Sequence, residues 1–269
     1  MSITFCKSLS GIILAFVVFI NTFGNFIGVG DIIPTEPAET TTTTVVETTL
    51  PVEDETTVVD GMTKAEFVAF LNAETAKAAN GSYSYNRNCY YTNPIDVGGA
   101  TDILNNIIKT IDENSSLDTV VGDFLGIGSY TGEMPEDYID SNYQLKATTL
   151  NEDDIESFTV NGGVYTFTLA DVTNPKKTGE TSFSRFTNDF VTHEEVVDGI
   201  SGFTTAIKVN STTVNYENIK VQVTVADGKI TNIKYSYAFD AAISIKALVV
   251  NINGTGAAAT NAEFSNIEY

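Results

Sequence analysis

The chain has 269 residues and a formal net charge of −21, with 35 acidic side chains against 14 lysines and arginines. A charge of this size repels phosphate backbones and argues against a nucleic-acid partner. One histidine and two cysteines exclude a multi-histidine zinc site and a dense disulfide framework. The composition therefore favours a domain held together by its hydrophobic core, and no cofactor is expected.

The first thirty residues predict export. One cation, Lys7, precedes an uncharged and mostly apolar run over residues 8–30. Its densest part, Leu9–Ile20, has twelve residues, which suits the core of a signal peptide and is short for a bilayer span. The whole run of 23 residues is long enough to span with some tilt, so a cleaved signal and a retained membrane anchor both stay open. Either reading predicts an extracellular protein, secreted or tethered to the cell surface.

Residues 31–60 contain ten threonines, three prolines, eight acidic side chains and no lysine or arginine. Such a segment buries too little apolar surface to offset the entropy of ordering, and its charges keep it extended. We predict a disordered acidic linker that holds a single globular domain, residues 61–269, away from a membrane or wall. That domain has 13 basic and 27 acidic residues, a formal charge of −14.

The domain opens with helical patterns. Thr63 and Glu66 stand at capping-box spacing and predict a helix that ends near Asn80-Gly81. The aromatic run from Tyr83 to Tyr91 predicts a strand. A second helix is predicted from Thr101, with a third, capped by Ser116, over Leu117–Leu125. The apolar stripe of the second helix comprises Ile103, Leu104, Ile107, Ile108 and Ile111.

From Tyr143 onward, apolar and polar residues alternate with a period of two. We predict a strand over 143–150, a helical turn over 151–157 with Thr149 and Glu152 at capping-box spacing, and a hairpin around Asn161-Gly162-Gly163. A helical stretch is expected near Phe186–Val197.

The last part of the chain predicts strands. Ile219 to Val225 and Ile233 to Phe239 alternate around an Asp227-Gly228 turn, and a final strand is predicted near Phe264–Tyr269. The predicted fold is α+β, with N-terminal helices packed on a curved, mostly antiparallel sheet.

Four segments carry a resemblance to secreted proteins of Gram-positive bacteria that have a Thr/Pro/Glu-rich stretch after the signal peptide. They are FLGIGSYTGE (124–133), YQLKATTLNEDDIES (143–157), GGVYTFTLADVTNP (162–175) and GKITNIKYSYAF (228–239). Their architecture is similar to lipoprotein carriers of the LolA and LppX type, in which a half-barrel sheet wraps around helices. The resemblance implies this fold and an apolar cavity between sheet and helices. It carries over no functional residue, and the chain lacks the lipobox cysteine of those carriers.

Two sets of residues are candidate binding sites. Tyr83, Tyr85, Tyr90 and Tyr91, with Arg87 and Cys89 between them, form a candidate ligand site, although a half-buried strand predicts the same alternation. A calcium-loop-like spacing of oxygen ligands follows the second helix. It comprises Asp112, Asn114, Ser116, Asp118 and Asp123. A leucine stands where such a loop has its glycine, and aspartate replaces the final glutamate, so a polar loop ending in a helix cap is the simpler interpretation.

Catalytic signals are weak. A Cys89–His193 pair requires proximity and a lowered thiol pKa. Asp153-Asp154, and Glu136-Asp137 with Asp140, are acid pairs of the kind that glycoside hydrolysis uses, but solvated turns and helix starts also favour acids.

We therefore expect a non-catalytic exported surface domain. It would bind a lipid or other apolar or amphipathic ligand, or a partner at the cell surface. An extracellular hydrolase with paired carboxylates and a calcium-stabilised adhesion module are the alternatives.

Overall fold

A computed structural model describes residues 61–102, 105, 109, 113–114, 116–137, 139–201, 207–247 and 250–269. The predicted export segment and acidic linker lie outside these residues. Within the described ranges, no helix combines the length and the apolar character that crossing a membrane requires.

Eight antiparallel strands form one open sheet in the order β2-β1-β8-β7-β6-β4-β3, and β5 pairs with β6. The strands are β1 Ser82–Asp96, β2 Gly128–Met134, β3 Ile155–Asn161, β4 Val164–Leu169, β5 Val172–Thr173, β6 Ile207–Ala226, β7 Lys229–Ala247 and β8 Val250–Glu268. The helices are α1 Lys64–Ala78, α2 Leu117–Leu125, α3 Ser182–Phe186 and α4 His193–Ser201, with short 3₁₀ turns at Gly98–Ala100 and Glu152–Asp154. The predicted antiparallel sheet is confirmed.

The capping signals place the first helices correctly. Thr63 and Glu66 form the predicted capping box at the start of α1. Ser116 caps α2, which ends at Gly126 with a left-handed φ of 69°. In the helix predicted from Thr101, residues 101, 102, 105 and 109 are helical, and the five apolar stripe residues lie outside the described part of the chain.

Both predicted hairpins are present. Strands β3 and β4 pair through the turn at Asn161-Gly162-Gly163. Strands β6 and β7 pair through Asp227 and Gly228, which have φ values of 52° and 74°. Positive φ at both central residues is what a two-residue turn of type I′ requires, and aspartate with glycine tolerates it.

The strand predicted over 143–150 is wrong. This segment joins no sheet, because its backbone bonds to other elements instead. Asn72 of α1 donates from Nδ2 to the Leu150 carbonyl at 2.8 Å, and its Oδ1 accepts the Leu150 N–H at 3.0 Å. The Thr148 N–H donates to Thr75 Oγ1 at 3.0 Å. The buried residues Thr148 and Leu150 are therefore bonded to α1 and not to a neighbouring strand.

Two further boundaries need correction. Asn151, not Thr149, caps the turn at Glu152–Asp154, and its capping box uses Asp154. The single helix predicted over 186–197 is two helices, α3 and α4, separated by the non-helical residues 187–192.

The last strand begins much earlier than predicted. Strand β8 runs over nineteen residues from Val250, whereas the prediction placed it near 264–269. In its first half, NINGTGAAAT, seven of the ten residues are asparagine, glycine or alanine, which are depleted in strands. It is a strand because it pairs with both β1 and β7, so tertiary pairing overrides local preference.

The core lies on one face of the sheet, here called the inner face. Its side chains alternate with exposed or half-buried residues along β1, β4, β6 and β7. From α1, Phe67 stacks on Tyr165 of β4 with ring centroids 4.5 Å apart. The predicted burial of Tyr165, Phe167 and Leu169 on one face is confirmed.

Candidate functional site

Strand β1 divides the four tyrosines of the candidate ligand site between two faces. Tyr83 and Tyr85 are buried on the inner face, and Tyr91, also inward, is half-buried. Tyr90 points to the opposite face and is 46% exposed. The four rings therefore do not line one site, and the alternation of a strand with one buried face explains their spacing.

An ion pair between Arg87 and Asp189 lies at the centre of the inner face. The two side chains are 2% and 1% exposed. Arg87 Nε donates to both Asp189 carboxylate oxygens at 3.0 Å, and Nη1 donates to the Gly126 carbonyl at 2.6 Å. The Tyr143 ring covers the guanidinium, with its centroid 4.6 Å from Cζ. Burial by itself lowers the pKa of Arg87, but the Asp189 carboxylate outweighs burial and raises it.

Two tyrosines of β7 complete the shell around Asp189. The Tyr235 hydroxyl donates to Oδ2 at 2.9 Å, and the Tyr237 hydroxyl donates to the Asp189 carbonyl at 2.7 Å. Burial and the negative charge of Asp189 raise the pKa of both phenols well above the usual range, so both remain donors. Tyr85 is buried beside them, and its hydroxyl has no hydrogen-bond partner among the described residues.

The segment 181–192, here called the covering segment, closes the inner face over this ion pair. Its Phe183 ring lies 5.2 Å from the rings of Tyr216 and Tyr237. Phe186 packs edge-on against Tyr235 at 5.5 Å. The Val191 N–H donates to the Tyr216 hydroxyl at 2.9 Å, which donates in turn to the Val191 carbonyl at 2.9 Å. The charged pair is therefore sealed from solvent by aromatic rings.

The proposed Cys89–His193 pair finds no support in its surroundings. Cys89 is a free thiol with 1% of its surface exposed, and burial raises its pKa. A nucleophilic thiol needs the opposite shift. His193 Nδ1 lies 3.0 Å from the Thr212 carbonyl, which anchors α4 to β6.

Two residues of the candidate calcium loop hold α2 in place. Ser116 Oγ accepts the Thr119 N–H at 3.2 Å as the helix cap, and Asp118 Oδ1 accepts the Ile95 N–H of β1 at 2.9 Å. Asn114 and Asp123 are exposed, and Asp112 lies outside the described residues. Across the described ranges, no three His, Cys, Asp or Glu side chains are grouped to hold a metal ion.

The candidate acid pairs have local structural partners. Asp154 forms an ion pair with Arg185, while Asp153 beside it is exposed. Asp137 accepts the Glu133 N–H at 2.9 Å, and Asp140 accepts the Asn142 N–H at 2.9 Å, both within turns. Glu136 is exposed. These contacts favour turn and cap roles for the acids.

Sequence reasoning missed Asp189, the most deeply buried carboxylate in the described part of the chain. It lies in the stretch that was predicted as one helix, so the sequence did not show that its side chain points into the core. The signal was Arg87, which falls in the inward phase of β1 between Tyr85 and Cys89. An inward arginine requires a buried anion, because an unpaired buried charge is too costly.

Comparison with protein-family models, curated proteins and solved structures finds no significant match for this chain.

Proposed function

We propose that the chain is an exported, non-catalytic interaction domain, carried on an acidic threonine-rich linker and secreted or held at the cell surface. One observation supports this most: the inner face is filled and its only described buried ion pair, Arg87–Asp189, is sealed under the covering segment. The charged groups of this pair bond to each other and to the backbone, so a partner would have to bind on the outside of the molecule.

For the fold, we propose the half-barrel that the resemblance to lipoprotein carriers implies. The sheet is open, and both α1 and the covering segment contact its inner face, through Phe67 on Tyr165 and Phe183 on Tyr237. In a carrier of this type the same face surrounds an apolar cavity. Here aromatic rings that contact each other occupy it, which favours an interaction domain over a lipid carrier.

A protease-accessibility assay on intact cells tests the proposal. The full chain, with an epitope tag after Tyr269, would be expressed in a Gram-positive host and intact cells treated with proteinase K. We expect the tag in the medium or removed from the cells by the protease, while a cytoplasmic marker stays intact. A tag that remains protected until the cells are lysed would contradict export.

A further inference from the structure

The face of the sheet opposite the core, here called the outer face, remains accessible. Of the described elements, α1 and the covering segment pack on the inner face, as the contacts of Phe67 and Phe183 show. Along β1, β8 and β7, the side chains that alternate with the buried ones are exposed or half-buried. This surface is available for a partner.

Tyr90 is the aromatic centre of the outer face. Its cross-strand neighbours are Ala259 on β8 and, one strand further, Ala238 on β7. Neighbouring strands lie about 4.8 Å apart, so this row extends about 10 Å from the ring. The two alanines leave one side of an exposed ring unobstructed by large side chains. Such a surface suits a second ring lying beside the aromatic one.

The rows on either side of Tyr90 carry hydrogen-bonding groups. On one side Asn88 pairs with Asn261, which pairs with Ser236. On the other side Asp240 accepts from Asn215 Nδ2 at 3.0 Å. Primary amides and hydroxyls both donate and accept, as a partner rich in hydroxyl groups requires.

The charge of the outer face differs from that of the domain. Its Lys234 and Glu263 form an ion pair at 3.2 Å and cancel each other. Lys220 is set against Asp240 and Glu217, which pair in register with Asn215 and Ala238, so the charges of this face largely offset one another although the domain as a whole carries −14. A near-neutral surface on an acidic domain complements an uncharged partner, whereas a polyanion would be repelled by the rest of the molecule.

We propose that the outer face binds a neutral polysaccharide, with the C–H face of one sugar ring on Tyr90 and its hydroxyls bonded to the flanking amide rows. An aromatic face attracts the weakly positive C–H groups of a sugar, and the neighbouring amides supply orientation. The inference rests on the proposed role as an interaction domain and names the chemistry of its partner.

Affinity gel electrophoresis of the full chain tests this proposal. Native gels would contain hydroxyethyl cellulose, glucomannan or dextran, with polygalacturonate as the anionic control. We expect retardation by at least one neutral polymer and none by polygalacturonate. Tyr90→Ala should weaken that binding about tenfold or more, while Tyr90→Phe, which keeps the ring, should retain it.

Tyr130→Ala is the matched control. Tyr130 is 39% exposed on the neighbouring strand, but it pairs with Arg87 and belongs to the inner face. Its loss should leave retardation unchanged. No retardation in any neutral gel, or equal retardation of Tyr90→Ala and the unmodified chain, would overturn the proposal. Exposure of the epitope tag to protease would be unaffected by that result, so the proposal of export and the proposal of polysaccharide binding can be contradicted independently.

Discussion

At the scale of single residues, Arg87 and Asp189 determine how the inner face is built. A buried arginine is tolerated because the carboxylate, the Gly126 carbonyl and the Tyr143 ring satisfy it together. Burying either charge alone costs far more than burying the bonded pair. The small residue Ala262 stands between Arg87 and Tyr235 in register, which leaves room for the guanidinium among large rings.

Removal of one partner of this pair should be strongly destabilising. Asp189→Asn or Arg87→Met leaves an uncompensated buried charge, and each should lower the free energy of unfolding by about 3–5 kcal/mol. The double variant should lose less free energy of unfolding than the sum of the two single losses, because neither charge is then left unpaired. Urea unfolding followed by tyrosine fluorescence measures all four proteins. Additive losses would mean that the two side chains do not depend on each other.

At the scale of elements, a second ion pair, near the start of the covering segment, joins it to the rest of the fold in addition to Arg87–Asp189. Arg185 of α3 donates to both carboxylate oxygens of Asp154, in the 3₁₀ turn before β3. Burial by itself raises the pKa of Asp154, but the hydrogen bonds from Arg185 and the Asn151 N–H outweigh it and lower the pKa overall. The ionised carboxylate is therefore the form that fastens the segment.

This pair makes stability depend on pH in a defined direction. Because the folded pKa of Asp154 is lowered, its contribution is present above the unfolded pKa of about 4 and is lost as pH falls through the folded value. Asp154→Asn should cost about 1 kcal/mol at pH 7, since solvent screens the partly exposed Arg185. The difference from the unmodified chain should shrink as the pH is lowered below about 4 and Asp154 becomes protonated. Asp153→Asn, at an exposed position, is the control and should unfold with the same free energy as the unmodified chain at each pH. If the loss caused by Asp154→Asn did not change with pH, the ionised Asp154 carboxylate would not be what fastens the segment.

Local signals predicted those elements whose cause is local. Thr63 with Glu66, Ser116, and Asp227-Gly228 act within a few residues, so these two caps and this turn were placed correctly. The alanine-rich half of β8 and the extended residues 143–150 depend on what they meet across the fold, and their own composition does not reveal it. The inward phase of Arg87 could be predicted, but its partner, about a hundred positions away in sequence, could not.

At the scale of the whole molecule, the two faces of the sheet have different roles. The inner face is filled by aromatic side chains and closed by α1 and the covering segment, whereas the outer face stays open with Tyr90 at its centre. Together with the predicted export segment and acidic linker, this arrangement is the basis for the proposal that the domain works through its surface and is not a lipid carrier.

Native mass spectrometry of the protein recovered from the medium or surface of its host tests that central claim most directly. We expect a native mass equal to that of the denatured polypeptide, including any covalent glycans on the linker, because aromatic rings in contact with each other occupy the described inner face. A native species heavier by one lipid, whose extra mass disappears on denaturation, would contradict the account and identify the domain as a carrier.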